Sequence, residues 1–248
     1  VNFVDRVGAA KKLQEELAAQ GVEISLHQAD ISQPAEIAEM FESIKQLHGG
    51  LNILVQNAAA TKFAKLEEAT LADWQFVQDT NSRATWLMAK HAVELMKGRP
   101  GARFITITNS TTTRIVPRGG LFAAAKASLE TLTEYLSYEL APHGIVANCV
   151  RPGTVRTDVL KVRPDFEREA LHELAISPWK GERMTTVENS ADVVAMLCQD
   201  EADWIVGQTI SVDGGYQLWG GLGRRLPPSN AAQNSVDPRA RATGGLHG

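Results

Sequence analysis

A chain of 248 residues with 44% apolar side chains is long enough for one α/β domain with a sizeable core. Its formal net charge of −4 leaves no basic footprint for nucleic acid. No window approaches the roughly 18 uninterrupted apolar residues of a membrane span, no signal-peptide pattern is visible, and a cytoplasmic location is the expectation.

In chain order, the segment at about 8–20 reads as a helix with Ala10, Leu13 and Leu17 on one face, stopped by Gly21. A strand is expected over 22–29. Ser32 then stands where it would cap a helix whose stripe is Ile37, Met40, Phe41 and Ile44, the 3.6-residue period. The run 51–56 is a short apolar strand. Thr70 opens a helix with Asp73 in its first turn, and Ala84, Met88, Ala92 and Leu95 line the next one. A β-branched strand covers 103–108, Leu129, Leu132, Leu136 and Leu140 line a long helix, and 145–150 is another strand. Ser190 is expected to cap a helix to about 199, and 208–213 is a final strand. Cys149 and Cys198, in the strand and the last helix, read as two reduced, buried thiols.

Strands that alternate with helices imply parallel pairing and a doubly wound, Rossmann-like sheet covered on both faces. Residues 1–219 are expected to form a single domain. From residue 220 no apolar period survives, and 220–248 reads as a disordered tail. Gly220-Gly221-Leu222-Gly223 has the look of a phosphate loop, but no helix pattern follows it, so it reads as a linker.

Ligands of such sheets lie beyond the carboxyl ends of the strands, and polar residues recur at those ends. Asp30 can accept a hydrogen bond from an adenine amino group, or serve as an ordinary helix-entry residue. Asn57-Ala58-Ala59 lets a ligand approach the backbone closely, or is a plain turn. Asn109-Ser110-Thr111-Thr112-Thr113 carries hydroxyls able to stabilise a developing oxyanion. Lys126 can orient a ribose and depress a neighbouring acid's pKa, or be a solvated helix lysine. Pro152-Gly153-Thr154-Val155-Arg156-Thr157 makes a sharp strand exit, and Thr157 can bond a carboxamide or phosphate. Each signal is weak, but their order along successive strand ends is not.

The set Asp30-Ile31, Asn57-Ala58-Ala59, Asn81, Ser110, Lys126, Pro152-Gly153 with Thr157, and Val212-Asp213-Gly214-Gly215 resembles the short-chain dehydrogenase/reductase family over residues 1 to about 217. Within it, the chain looks most like 3-oxoacyl-acyl carrier protein reductases and type III enoyl reductases. Gln33-Pro34-Ala35-Glu36-Ile37, Lys126-Ala127-Ser128-Leu129-Glu130-Thr131-Leu132-Thr133 and Gly207-Gln208-Thr209-Ile210 are similar to the latter. The resemblance implies a nicotinamide cofactor held by Asn2, Arg6, Asp30, Ile31, Asn57, Ala58, Ala59, Lys126, Pro152, Gly153, Val155 and Thr157, with Ser110 and Lys126 as catalytic residues and Asn81 supporting a water relay. It also implies a homodimer or homotetramer with a seam on the Lys126 helix and the one before it. Asn2 stands where members preferring NAD carry an acid, and Arg6 could face a 2′-phosphate, so NADP(H) is the expected cofactor.

Two departures stand out. The family's first strand and its T-G-x-x-x-G-x-G turn have no counterpart here. The chain opens at Val1 without Met, and a truncated sequence is the expectation. The family's Y-x-x-x-K tyrosine is replaced by Phe122, and the position seven before Lys126 is Gly119, so neither carries a phenol. Tyr135 and Tyr138 lie beyond Lys126 and read as packing or interface residues. Two functions therefore compete. One is an NAD(P)H-dependent reductase of an enoyl or 3-oxo acyl or polyketide-type substrate. The other is a non-redox binding or scaffold protein, or a cyclase or dehydratase, on the same fold. Arg114, Arg118, Arg151, Arg156, Lys161 and Arg163 fall in chain regions expected near the cleft mouth, where they would greet an acidic carrier or be scattered surface cations.

Overall fold

The computed structural model describes residues 1–155 and 185–219. Six parallel strands are formed among the described residues, in two ladders. β1 (Asn2–Phe3) pairs with β2 (His27–Gln28). β3 (Ile53–Gln56), β4 (Ala102–Ile107), β5 (Ile145–Pro152) and β6 (Thr209–Val212) form the second ladder in that order. Helices make the crossovers: α1 (Val7–Ala18), α2 (Pro34–His48), α3 (Leu71–Gln78), α4 (Ala84–Met96), α5 (Gly120–Leu140) and α6 (Val187–Leu197), with α7 (Tyr216–Trp219) after β6.

The two central strands are buried along most of their length because helices cover both their faces. On one face Phe104 and Ala147 pack with Ile37, Phe41, Met88, Met96 and Leu136 from α2, α4 and α5. On the other, Ile105 and Val150 pack with Leu197 and Ala202. Burying each large side chain contributes about 1.5–3 kcal/mol. The doubly wound α/β fold expected from the sequence is thus present. Arg103, fully buried at the start of β4, donates from Nε to the Leu197 carbonyl and from Nη2 to the Gln199 carbonyl, both at 3.1 Å. These bonds tie the last residue of α6 and the turn that follows it to the sheet.

Local details depart from the sequence reading. The strand expected over 22–29 contracts to His27–Gln28, because β1 offers only two residues for it to pair with. The helix at about 8–20 forms, but Leu13 is 39% exposed and Ala10 is the residue that the helix buries. The N-cap of α2 is Gln33, not Ser32, and Pro34 occupies the first turn, where its missing N–H costs nothing. Thr70 and Asp73 do form a reciprocal capping box on α3. The cap of α6 is Thr186, paired with Asn189, and Ser190 lies inside the helix. Tyr135 and Tyr138 are 67% and 83% exposed, so neither packs within the protomer. Cys149 is buried and Cys198 partly so, and both are free thiols. No helix among the described residues is long and apolar enough to cross a membrane. The expected tail at 220–248 lies outside the described residues.

Candidate active site

The carboxyl ends of β4 and β5 lie against the first half of α5. Lys126 lies two turns into that helix and is only 2% exposed. Its Nζ donates to the Ile107 carbonyl at 2.7 Å, at the last residue of β4. Burial drives the ammonium's pKa from 10.5 down to about 8, against smaller opposing contributions from Cys149 and Glu130. Phe122 sits one turn earlier on the same face, with Nζ 5.7 Å from its ring centre, close enough for a cation–π contact.

Ser110 opens a single 3-10 turn, Ser110–Thr112, packed against α5. Asn109 caps it: its Oδ1 accepts from the Thr111 amide at 2.9 Å. The Ser110 carbonyl accepts from the Thr113 and Arg114 amides, both at 3.2 Å. Asn81 lies in a π-turn, Asp79–Arg83, between α3 and α4 and against α5. Such turns recur at functional sites because they re-aim a side chain without ending the helix. Asn81 Nδ2 donates to Val77 O at 2.8 Å and to Ala60 O at 2.7 Å, which pulls the loop after β3 onto the turn. Its Oδ1, buried, has no hydrogen-bond partner, nor have Gln56 Oε1 and Thr61 Oγ1 on either side of Asn57-Ala58-Ala59. Sequence reasoning missed Gln56 and Thr61.

Asn57, Ala58 and Ala59 are exposed at the end of β3. Ile31 is buried in the main core, and Asp30 Oδ1 accepts from the Ser32 amide at 2.8 Å. Arg83 reaches back to the Ser32 carbonyl, joining the Asp30-Ile31 loop to the Asn81 turn. Asn2 uses its side-chain amide on the His27 and Ala29 carbonyls, at 3.3 and 2.9 Å, and so braces the small ladder. Arg6 is exposed at the N-cap of α1. At Pro152-Gly153 the chain passes very close to its neighbours: a Cβ on Gly153 would sit 2.6 Å from Thr185 Oγ1 and 2.9 Å from Asp213 Cα. Val155 forms an isolated bridge with Thr185. Thr157, Arg156, Lys161 and Arg163 lie outside the described residues.

The arginines expected at a carrier-facing mouth divide. Arg118 is exposed, 3.8 Å from Glu68. Arg114 and Arg151 turn inward instead. Arg114 lies 4.6 Å over the Tyr216 ring and donates to Thr154 Oγ1 at 2.9 Å. Arg151 pairs with Glu130 at 2.8 Å, both side chains being about 15% exposed or less. The sequence reading gave Glu130 no role, although its position four residues after Lys126 places it on the same helix face.

A family model described as "Enoyl-(Acyl carrier protein) reductase" matches residues 1–217. A short-chain type dehydrogenase/reductase of Picea abies is 32% identical over 80% of this chain and 73% of its own. The chain belongs to the short-chain dehydrogenase/reductase family. It is an oxidoreductase of that family. A 3-oxoacyl-acyl-carrier-protein reductase of Staphylococcus epidermidis is 30% identical over 88% of each chain. A short chain dehydrogenase from Burkholderia cenocepacia, solved in complex with NADP, superposes with a TM-score of 0.77 at 26% identity, over 86% of this chain and 84% of that one.

The residues present fit the nicotinamide-ribose half of a dinucleotide. Lys126 has three N–H donors and uses one on Ile107. The orphaned acceptor on Asn81 suits a water or hydroxyl donor. The small residues at 57–59 leave backbone open at the strand end.

Proposed function

We propose that this oxidoreductase reduces an acyl-type substrate, an enoyl or 3-oxo thioester, with NADP(H), and that the conjugated enoyl is the better substrate. The observation carrying this reading is the buried Lys126 facing Phe122 instead of a phenol. NADPH, when bound, supplies the hydride. Lys126 holds a proton at pH 7, and burial makes it a far stronger acid than a solvated lysine. It therefore serves as the proton source that the phenol would otherwise be. The Ser110 hydroxyl donates to the substrate's carbonyl oxygen. An enoyl thioester suits Phe122 because hydride goes to carbon, and the oxygen needs polarising more than immediate protonation. Lys126 and the strand-end backbone at 57–59 bind the cofactor, with Asp30-Ile31 toward the adenine. Arg6 favours the 2′-phosphate of NADP(H). Trp86 and the two tyrosines at 135 and 138 are exposed on α4 and α5, which supports a homo-oligomer with its seam there.

The test is NADPH oxidation followed at 340 nm with a 2-enoyl and a 3-oxo thioester, after cofactor binding is confirmed by fluorescence. The enoyl substrate is expected to turn over faster, and Lys126→Ala to abolish most of the rate. Phe122→Tyr is expected to raise 3-oxo reduction at least tenfold, the low end of the roughly 10²–10⁴-fold that general acid catalysis contributes. A silent wild type and a silent Phe122→Tyr, both with good NADPH affinity, overturn the reading.

A further inference from the structure

Thr108 and Thr112 flank Ser110 by two residues on each side, and both hydroxyls donate to one oxygen. Glu130 Oε1 accepts from Thr108 Oγ1 at 2.7 Å and from Thr112 Oγ1 at 2.7 Å. Arg151 Nε donates to the same atom at 3.3 Å, and Arg151 Nη2 donates to Oε2 at 2.8 Å. Arg151 also donates to Ser211 Oγ at 3.2 Å. One carboxylate therefore joins the end of β4, the turn bearing Ser110, the helix bearing Lys126 and the end of β5, and through Arg151 it reaches β6. Without it the 3-10 turn keeps its own short-range bonds, those that Asn109 accepts from Thr111 and from the Thr112 hydroxyl, at 3.1 Å for the latter, and those that the Ser110 carbonyl accepts. A largely desolvated ion pair returns little net stability, because losing water offsets the attraction. Placement is the property that this network does supply.

We propose that Glu130 is a positioning residue that clamps the Ser110 turn from both sides and holds it in register with Lys126. The proposal rests on the reading of Ser110 and Lys126 as the substrate-facing pair. It has an electrostatic corollary. The groups facing Lys126 are Glu130 on α5, the buried Cys149 thiol on β5 and the Ile107 carbonyl on β4. Burial pushes Cys149 up to about 11, so it stays neutral near pH 7. The negative charge among them is Glu130, and it favours the protonated lysine.

The experiment compares wild type, Glu130→Gln and the double variant Glu130→Leu/Arg151→Met, which removes both charges together. Three quantities are read: kcat with the better thioester across pH, the Kd for NADPH, and amide exchange of the 108–113 peptide by mass spectrometry. In Glu130→Gln, kcat is expected to fall about tenfold or more, since small misplacements of reacting groups are this costly. NADPH affinity should change less than twofold, the alkaline fall of kcat should move to lower pH, and exchange should rise in 108–113 more than elsewhere. The double variant should remain slow and open at 108–113. If it regains wild-type kcat and protection, the pair served only to neutralise itself and the clamp is refuted. Unchanged kcat and exchange in Glu130→Gln refute it as well. Should Glu130→Gln not fold, the double variant carries the same readouts. Should the wild type turn over neither thioester, the reductase reading falls by itself, and exchange at 108–113 then decides the clamp: opened exchange supports it and unchanged exchange overturns it.

Discussion

Replacing Lys126 by Met removes one buried charge and keeps most of the side chain's volume, so it isolates what burying that charge costs. The folded protein holds the Lys126 proton only to about pH 8, whereas the unfolded chain holds it to 10.5. Between those values the unfolded state binds more protons at Lys126, so the Lys126 contribution to wild-type stability rises with pH. Below pH 8 both states are protonated and the slope vanishes. At about 1.4 kcal/mol per pH unit, the full window corresponds to about 3 kcal/mol. Cys149 acts in the opposite sense, because its thiol ionises near 9 when unfolded and near 11 when folded, so it lowers stability across that range. That contribution is common to both proteins and largely cancels in their difference. The Ile107 carbonyl left without its donor adds a cost that does not depend on pH. Urea unfolding at several pH values should therefore show wild type gaining about 2 kcal/mol on Lys126→Met between pH 7 and 9.5. A difference that stays flat within about 0.5 kcal/mol over that interval would refute a desolvated ammonium and, with it, Lys126 as a near-neutral acid.

Gly153→Ala should lower stability by about 1–3 kcal/mol, read as a fall in Tm, because its Cβ would meet Asp213 Cα at 2.9 Å and backbone cannot rotate away. An unchanged Tm would mean that the ends of β5 and β6 separate freely. Arg6→Ala should weaken NADPH binding roughly tenfold, about 1.4 kcal/mol, and leave NADH within twofold by fluorescence titration. An equal loss for both cofactors would remove Arg6 from the 2′-phosphate.

The helices were legible wherever burial follows a period. The stripe Ile37, Met40 and Phe41 is buried on α2, and Leu129, Leu136 and Leu140 are buried on α5, because a core-facing helix repeats its contacts every 3.6 residues. The capping box at Thr70 and Asp73 was legible for the same reason: both partners lie within one turn. Lengths and ends were less so. The strand over 22–29 has a suitable composition throughout, but a strand is as long as its neighbour allows, and β1 allows two residues. Ser190 and Thr186 are both fair caps, and only the backbone geometry at Thr186 selects between them. The order of polar residues at strand ends, with Phe122 one turn before Lys126, was determined by the sequence alone, since topology sends every parallel strand end to the same side. What Lys126 becomes there was decided by tertiary structure. Its burial, its bond to Ile107 and the Glu130 carboxylate shared by Thr108, Thr112 and Arg151 join residues about 20 apart in the chain. No local period records such meetings, because they exist only once the ends of β4 and β5 and one helix have packed together.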